Sequence, residues 1–140
     1  MTFNEASKKV EYKPFDILLV NDGRYKIGNT CILTLNDNEI VIQSHIRIIR
    51  VLNPEIIDPF LLIYLLNTKI VQDQIKHKTF IQSTIATLGN RLREILIPIP
   101  KDPRFRKDIA DTMRNLMLSR SQLLNEIRIF LDAEKENLGY

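Results

Sequence analysis

Apolar runs separated by turn residues predict three strands in the first half of the chain. Phe15–Val20 is a short apolar run that Asn21-Asp22-Gly23 closes, which is typical of a buried strand ending in a turn. A second short run, Cys31–Leu35, follows. After another polar turn, Ile40–Val51 is the longest strand candidate in the sequence. Together these runs predict a short twisted sheet.

The third predicted strand has two chemically different faces, because side chains alternate along a strand. Isoleucines occupy most of one face, whereas Gln43, His45 and Arg47 share the other. Ser44 adds a further donor and acceptor beside them. Gln and Arg can make bidentate contacts with adenine and guanine edges, so this segment is a candidate for base recognition.

A helix is predicted from Phe60 to about His77. Asp58 suits the N-cap and Pro59 suits the first helical position. The first half of the segment is almost wholly apolar, whereas the second half carries lysines. We therefore expect the first half to be enclosed and the second half to emerge into solvent.

Two further segments follow this helix. Residues 79–90 are rich in Ser, Thr, Gln, Gly and Asn, which predicts a loop. Glu94–Ile99 then resembles a short strand, which Pro98 and Pro100 would confine to a sheet edge or terminate.

The last segment, Phe105–Asn137, contains neither Gly nor Pro and predicts one long helix. Its apolar positions recur with alternating four-three spacing, interrupted at Arg120, which is typical of a heptad seam. The predicted seam residues are Ile109, Met113, Leu116, Leu123, Ile127 and Phe130. A helix of roughly 33 residues is about 50 Å long, more than a body this small can cover. We therefore expect an interaction helix, with a core helix folded back on the sheet as the alternative.

Composition limits the function classes. The 140 residues are 44% hydrophobic and 26% charged, which fits one domain, residues 1–100, followed by a helical element, residues 101–140. Cys31 is the one cysteine of the sequence, so neither an intramolecular disulfide nor a zinc cluster of cysteines can form. Because the sequence has only two histidines as well, we expect no metal site. No apolar run reaches membrane-spanning length and the first ten residues are polar, so we expect a cytoplasmic protein that does not contact membranes.

Basic residues are unevenly distributed, although the net charge is only +3. Residues 74–93 carry Lys and Arg but no acid, and local clusters of cations favour phosphate binding. A solvated basic surface is the alternative. With the polar residues of the strand and loops, the predicted DNA contacts are Arg24, Tyr25, Lys26, Gln43, Ser44, His45, Arg47, Lys78, Gln82, Ser83, Thr84, Asn90, Arg91 and Arg93.

Catalytic motifs are not evident in the sequence. The four glycines are too dispersed for a phosphate-binding loop. A serine could be combined with His45 or His77, but no nucleophile elbow or comparable local context accompanies the combination. We therefore expect a protein that does no chemistry itself, with a nuclease or methyltransferase as a remote alternative.

Five segments of the chain carry a resemblance when taken in order: Asp22–Gly28, Ile42–His45, Leu61–Asn67, Gln82–Leu92 and Ile95–Pro100. Together they resemble the target recognition domains of type I restriction-modification specificity subunits. The resemblance implies an α+β chain: a small mixed α/β recognition domain with a short sheet and a packed helix, then a long coiled-coil-like helix. It also implies a module that reads one half of a split double-stranded DNA site.

The resemblance further implies partners. In that family the long helix pairs with another such helix, methyltransferase subunits dock on the assembly, and a restriction subunit joins them. No cofactor is implied on this chain, because S-adenosylmethionine would be bound by the methyltransferase. A full specificity subunit has two domains and two helices, whereas this chain has one of each and a recognition part that is shorter at its N-terminus. A second copy of the chain is therefore a candidate partner.

Within the recognition part, Gln43, His45, Gln82 and Asn90 are the candidates for base contacts, and Arg and Lys for phosphate contacts. The competing hypothesis is a protein-interaction adaptor, in which the long helix is the functional part and the body is only a scaffold.

Overall fold

The computed structural model describes residues 11–24, 26–37, 40–82 and 84–139. It has the α+β fold that the sequence predicts. Within the described residues, strands β1 (Ile17–Val20), β2 (Thr30–Ile32) and β3 (Ile46–Ile49) form an antiparallel sheet in the order β2-β1-β3. Ile17 and Leu19 are completely buried on the face of β1 that points into the core.

The third predicted strand is wrong over its first half. Residues 40–45 are not in a strand, and Ile46 N–H donates to the Gln43 carbonyl across a turn, 3.0 Å away. Val41 is 88% exposed, so the alternating pattern there has no core to bury. Gln43, Ser44 and His45 consequently lie in a loop and turn, and only Arg47 is on β3.

The predicted first helix is instead two helices, α1 (Pro59–Leu66) and α2 (Lys69–Lys78). Its predicted start is confirmed, since the Asp58 carboxylate accepts from the N–H of Phe60 at 2.8 Å. The break occurs because Thr68 is extended, and its hydroxyl donates to the carbonyl of Leu65. As expected, α1 is almost wholly enclosed, whereas α2 buries only Val71 and Ile75.

The segment predicted as a loop forms a hairpin. Strands β4 (Phe80–Gln82) and β5 (Ile85–Thr87) pair antiparallel, and a 3-10 helix, Gly89–Glu94, follows. The strand predicted at 94–99 is wrong: Glu94 belongs to the 3-10 helix, residues 95–99 join no sheet, and the Ile99 N–H donates to the Ile97 carbonyl at 3.0 Å. The Gln74 side chain takes the place of a partner strand, since its amide donates to the Leu96 carbonyl and accepts from the Leu96 N–H, both at 2.8 Å.

The long helix is confirmed as α3 (Pro103–Asn137), which is capped by Asp102. Its first half folds back on the body, where Ala110 is buried and Met113 and Met117 pack against the core. Ser121 lies 2.6 Å from the hydroxyl of Thr34, at the end of this contact. Beyond Asn125, every described residue of α3 is exposed.

Candidate nucleic-acid interface

Three separate polar segments meet where β1 ends. The N–H of Asn21 donates to the His45 carbonyl at 2.9 Å, and the Asn21 carbonyl accepts from Leu88 N–H at 2.8 Å. One residue on, Asp22 bridges to Thr87, and Gly23 N–H donates to the Ala86 carbonyl at 3.1 Å. The turn after β1, the turn before β3 and the hairpin are therefore fixed to one another by backbone bonds.

We call this region the sheet-end surface: residues 22–24 and 26, residues 43–47, residues 80–82 and residues 84–93. It brings together most of the residues that the sequence predicts to contact DNA. Arg24, Lys26, Gln43, Ser44, Arg47, Gln82, Thr84, Asn90, Arg91 and Arg93 are exposed on it, and His45 is half-buried. Tyr25 and Ser83 lie outside the described residues.

The hairpin forms a two-stranded ribbon on this surface. Gln82 lies directly opposite Ile85, and Phe80 directly opposite Thr87, so these four residues share one face of the ribbon. Ile81 and Ala86 form the pair on the other face. Ile85 is 52% exposed and Ile81 is 76% exposed, so each face presents an apolar side chain to solvent.

Arg91 joins the 3-10 helix to the hairpin. Its guanidinium lies 4.6 Å from the centre of the Phe80 ring, a cation–π contact, and it also donates to the Lys78 carbonyl. Gly89, between the hairpin and the 3-10 helix, adopts φ +54°, a backbone conformation that glycine favours.

Not every predicted cation on this side is equally available for phosphate. Lys78 is half-buried and donates to the Glu94 carboxylate at 3.1 Å, so the two charges largely neutralise each other. Arg24, Lys26, Arg47 and Arg93 are exposed. The positive charge of the surface is therefore carried by the turns and the 3-10 helix more than by α2.

Asn21, at the centre of the junction, is completely buried. Its backbone N–H and carbonyl each make a hydrogen bond, yet neither polar atom of its side-chain amide has a hydrogen-bond partner among the described residues. A buried amide without partners lowers the stability of a fold, so this residue is an exception within an otherwise well-paired junction.

Sequence reasoning missed the hairpin and with it Ile85. A signal was present, since Phe80-Ile81-Gln82 and Ile85-Ala86-Thr87 are two short segments of strand-forming residues separated by two polar ones. The high Ser, Thr and Asn content of the surrounding sequence obscured this pattern.

The predicted seam of α3 is divided by the fold. Ile109 and Met113 pack against the body of the same chain, which corrects their assignment to an interface with another chain. The remaining seam residues stay exposed: Leu116 and Leu123 58%, Ile127 47% and Phe130 64%. Leu124 and Leu131 flank them, and we call these six residues the α3 stripe.

An open groove of about 1080 Å³ lies between β2, α1 and α3. Cys31, Tyr64, Met117 and Leu124 are among the residues that line it. Burial and, to a smaller extent, the nearby Asp37 carboxylate raise the pKa of the Cys31 thiol. The thiol is therefore protonated at neutral pH and is a weak nucleophile.

In the part of the chain that the structure describes, no group of three or more His, Cys, Asp or Glu side chains is arranged to hold a metal ion. None of the described helices is both long and apolar enough to cross a membrane. Comparison of the chain with known protein families, curated proteins and solved structures finds no match.

Proposed function

We propose that this chain is a non-catalytic DNA-recognition module that reads one half of a split double-stranded target through the sheet-end surface. The observation that carries the proposal is the backbone junction at Asn21–Gly23, which holds two polar turns and a β-ribbon in one fixed arrangement. A rigid array of donors, acceptors and cations is what base and phosphate recognition requires.

The two-stranded form of the hairpin supports the proposal. A two-stranded β-ribbon fits the major groove of B-form DNA, where each base pair presents a distinct pattern of donors, acceptors and methyl groups. In this arrangement Gln82 reaches base edges from the hairpin, and Gln43 and His45 approach from the turn before β3. Arg24, Arg91 and Arg93 flank the ribbon and contact phosphates.

The α3 stripe supports the second half of the proposal, which concerns assembly. Six large, exposed apolar side chains along one side of the helix favour pairing with another helix. The resemblance to type I specificity subunits suggests the partners: a second long helix, from another copy or another chain, together with methyltransferase and restriction subunits. Any methylation would use S-adenosylmethionine bound by the methyltransferase. The assembly would act in the cytoplasm.

Binding to duplex DNA at two salt concentrations tests the function. The Arg93→Glu variant should weaken binding and flatten the salt dependence of the affinity, because each phosphate contact contributes about one unit to the slope. Lys135→Glu, on the last turns of α3, makes the same change in net charge away from the surface and serves as the control. Equal binding by the two variants and the wild type would contradict the proposal.

The adaptor hypothesis remains the second candidate, because the α3 stripe would serve an adaptor equally well. The two hypotheses differ in what Arg93→Glu does. A DNA-recognition module loses DNA affinity and keeps its state of association, whereas an adaptor changes in neither respect.

A further inference from the structure

On the basis of the proposed DNA-binding function, we infer that Gln82 and Ile85 together recognise an A·T base pair at the tip of the hairpin. The two residues are directly opposed across the ribbon, with only residues 83–84 between them along the chain. Directly opposed side chains have Cβ atoms about 5 Å apart and project from the same face.

The chemistry of the pair matches one base pair and not the other. In the major groove, adenine presents N7 as an acceptor and its N6 amino group as a donor, and a glutamine amide can bond both at once. The thymine paired with it presents a 5-methyl group, for which an isoleucine is an apolar partner. A G·C pair offers no methyl group, and the amino group that cytosine presents in the major groove is a polar donor, for which isoleucine is not a partner.

Ile85 combines exposure to solvent with a position opposite Gln82, and the more exposed Ile81 lacks that position. Ile85 is 52% exposed beside exposed polar residues, so a large apolar area is left in water. Covering that area is favourable by about 25 cal/mol per Å². The exposed cations Arg24 and Arg93 suit a polyanion as the molecule that covers it, and they would oppose a basic or wholly apolar partner.

Ile81 provides an internal comparison. It is the same residue type, one position away, and it is more exposed than Ile85, but it lies on the opposite face of the ribbon. When the face of Gln82 points toward the bases, Ile81 points away from them. Recognition of thymine should therefore depend on Ile85 and not on Ile81.

Base analogues test the inference without altering the protein. The probe is the duplex most enriched by the wild-type chain from a random pool, remade with a single deoxyuridine in place of each thymine in turn. Loss of one buried methyl group should reduce the affinity about fourfold at one position. Replacing the paired adenine with 7-deazaadenine, which lacks the N7 acceptor, should reduce it about fivefold.

Variants then assign each effect to a side chain. In Ile85→Ala the deoxyuridine effect should disappear, and in Gln82→Ala the 7-deazaadenine effect should disappear, while Ile81→Ala should retain both. If the wild type binds and enriches a motif but no thymine is sensitive to loss of its methyl group, the inference is overturned and the proposed function stands. If the wild type enriches no motif at all, both are overturned.

Discussion

The carboxylate of Asp58 accepts from two parts of the chain at once. One oxygen takes the N–H of Phe60 and caps α1, and the other binds the Arg114 guanidinium of α3 at 2.5 Å. The same guanidinium lies 5.0 Å from the centre of the Phe60 ring. This link joins the first half of α3 to the start of α1.

Loss of this link should weaken the whole fold. In Arg114→Met the Asp58 carboxylate keeps its cap but loses its cation, and the side chain still covers Phe60. We expect a decrease of about 1–2 kcal/mol in the free energy of unfolding, measured by urea denaturation. The control Arg128→Met removes an arginine from the exposed half of α3 and should leave stability unchanged. Equal stabilities of the two variants would contradict a structural role for the Asp58–Arg114 pair.

The Asp16–Arg50 pair makes the stability depend on pH. Asp16 is buried, and burial alone would raise its pKa, but hydrogen bonds from the Arg50 guanidinium and the backbone N–H of Lys13 outweigh burial and lower the pKa. The stabilisation is therefore complete above the ordinary carboxyl pKa of about 3.9, and it is lost as the pH falls through the lower pKa of the folded state.

Asp16→Asn should accordingly decrease the free energy of unfolding by about 2 kcal/mol at pH 7, and the difference from wild type should shrink below about pH 4. Denaturation curves at several pH values measure this. Asp73→Asn is the matched control, because Asp73 pairs with Lys69 on the surface of α2 and should have little effect at any pH. A difference at Asp16 that is the same at pH 7 and pH 3 would contradict the assigned cause.

Replacement of Asn21 tests the junction of the sheet-end surface. Leucine has nearly the same shape but no amide to leave unpaired, so Asn21→Leu should keep the free energy of unfolding unchanged or raise it by about 1 kcal/mol. Both backbone bonds of residue 21 remain available in this variant. A loss of more than about 1 kcal/mol would show that the amide is paired in solution, and would contradict the assignment of an unpartnered side chain.

The α3 stripe makes a prediction about association. Leu123→Asp combined with Ile127→Asp should abolish pairing of α3 with another helix, since charge is costly to bury at an apolar contact. Gln122→Asp combined with Ile129→Asp adds the same charge on the other side of the helix and should leave association intact. Sedimentation at several protein concentrations, with and without a partner, distinguishes them. An unchanged assembly in the first variant would mean that the stripe is not the contact surface.

Local chemistry made several elements predictable from the sequence. Asp58-Pro59 predicts the start of α1, and the absence of Gly and Pro from residues 105–137 predicts a long helix. Asp102-Pro103 is the same kind of start signal, and α3 begins there, two residues before the predicted start at Phe105. The sequence could not show where tertiary contacts replace local preferences. The Gln74 side chain makes hydrogen bonds to both backbone groups of Leu96, where a neighbouring strand was expected. The apolar pattern would continue α1, but the helix is interrupted at Thr68, whose hydroxyl donates to the Leu65 carbonyl.

The candidate site was predictable as a set of residue types but not as an arrangement. Gln43, Gln82 and Arg24 have side chains of the types that can contact bases and phosphates, and this is visible in the sequence alone. Their proximity depends on backbone bonds between residues far apart in sequence, from Asn21 to His45 and to Leu88. No periodicity in the sequence encodes those bonds. The role proposed for Ile85 depends on the pairing register of the hairpin, which places it opposite Gln82.

Selection from a random pool of duplex DNA tests the central claim most directly. The purified chain is incubated with the pool at low and at near-physiological salt, and the retained duplexes are sequenced. A sequence-reading module should enrich one short motif at both salt concentrations, with weaker total retention at the higher one. Retention that vanishes with salt and enriches no motif would reveal only a basic surface and would contradict the claim.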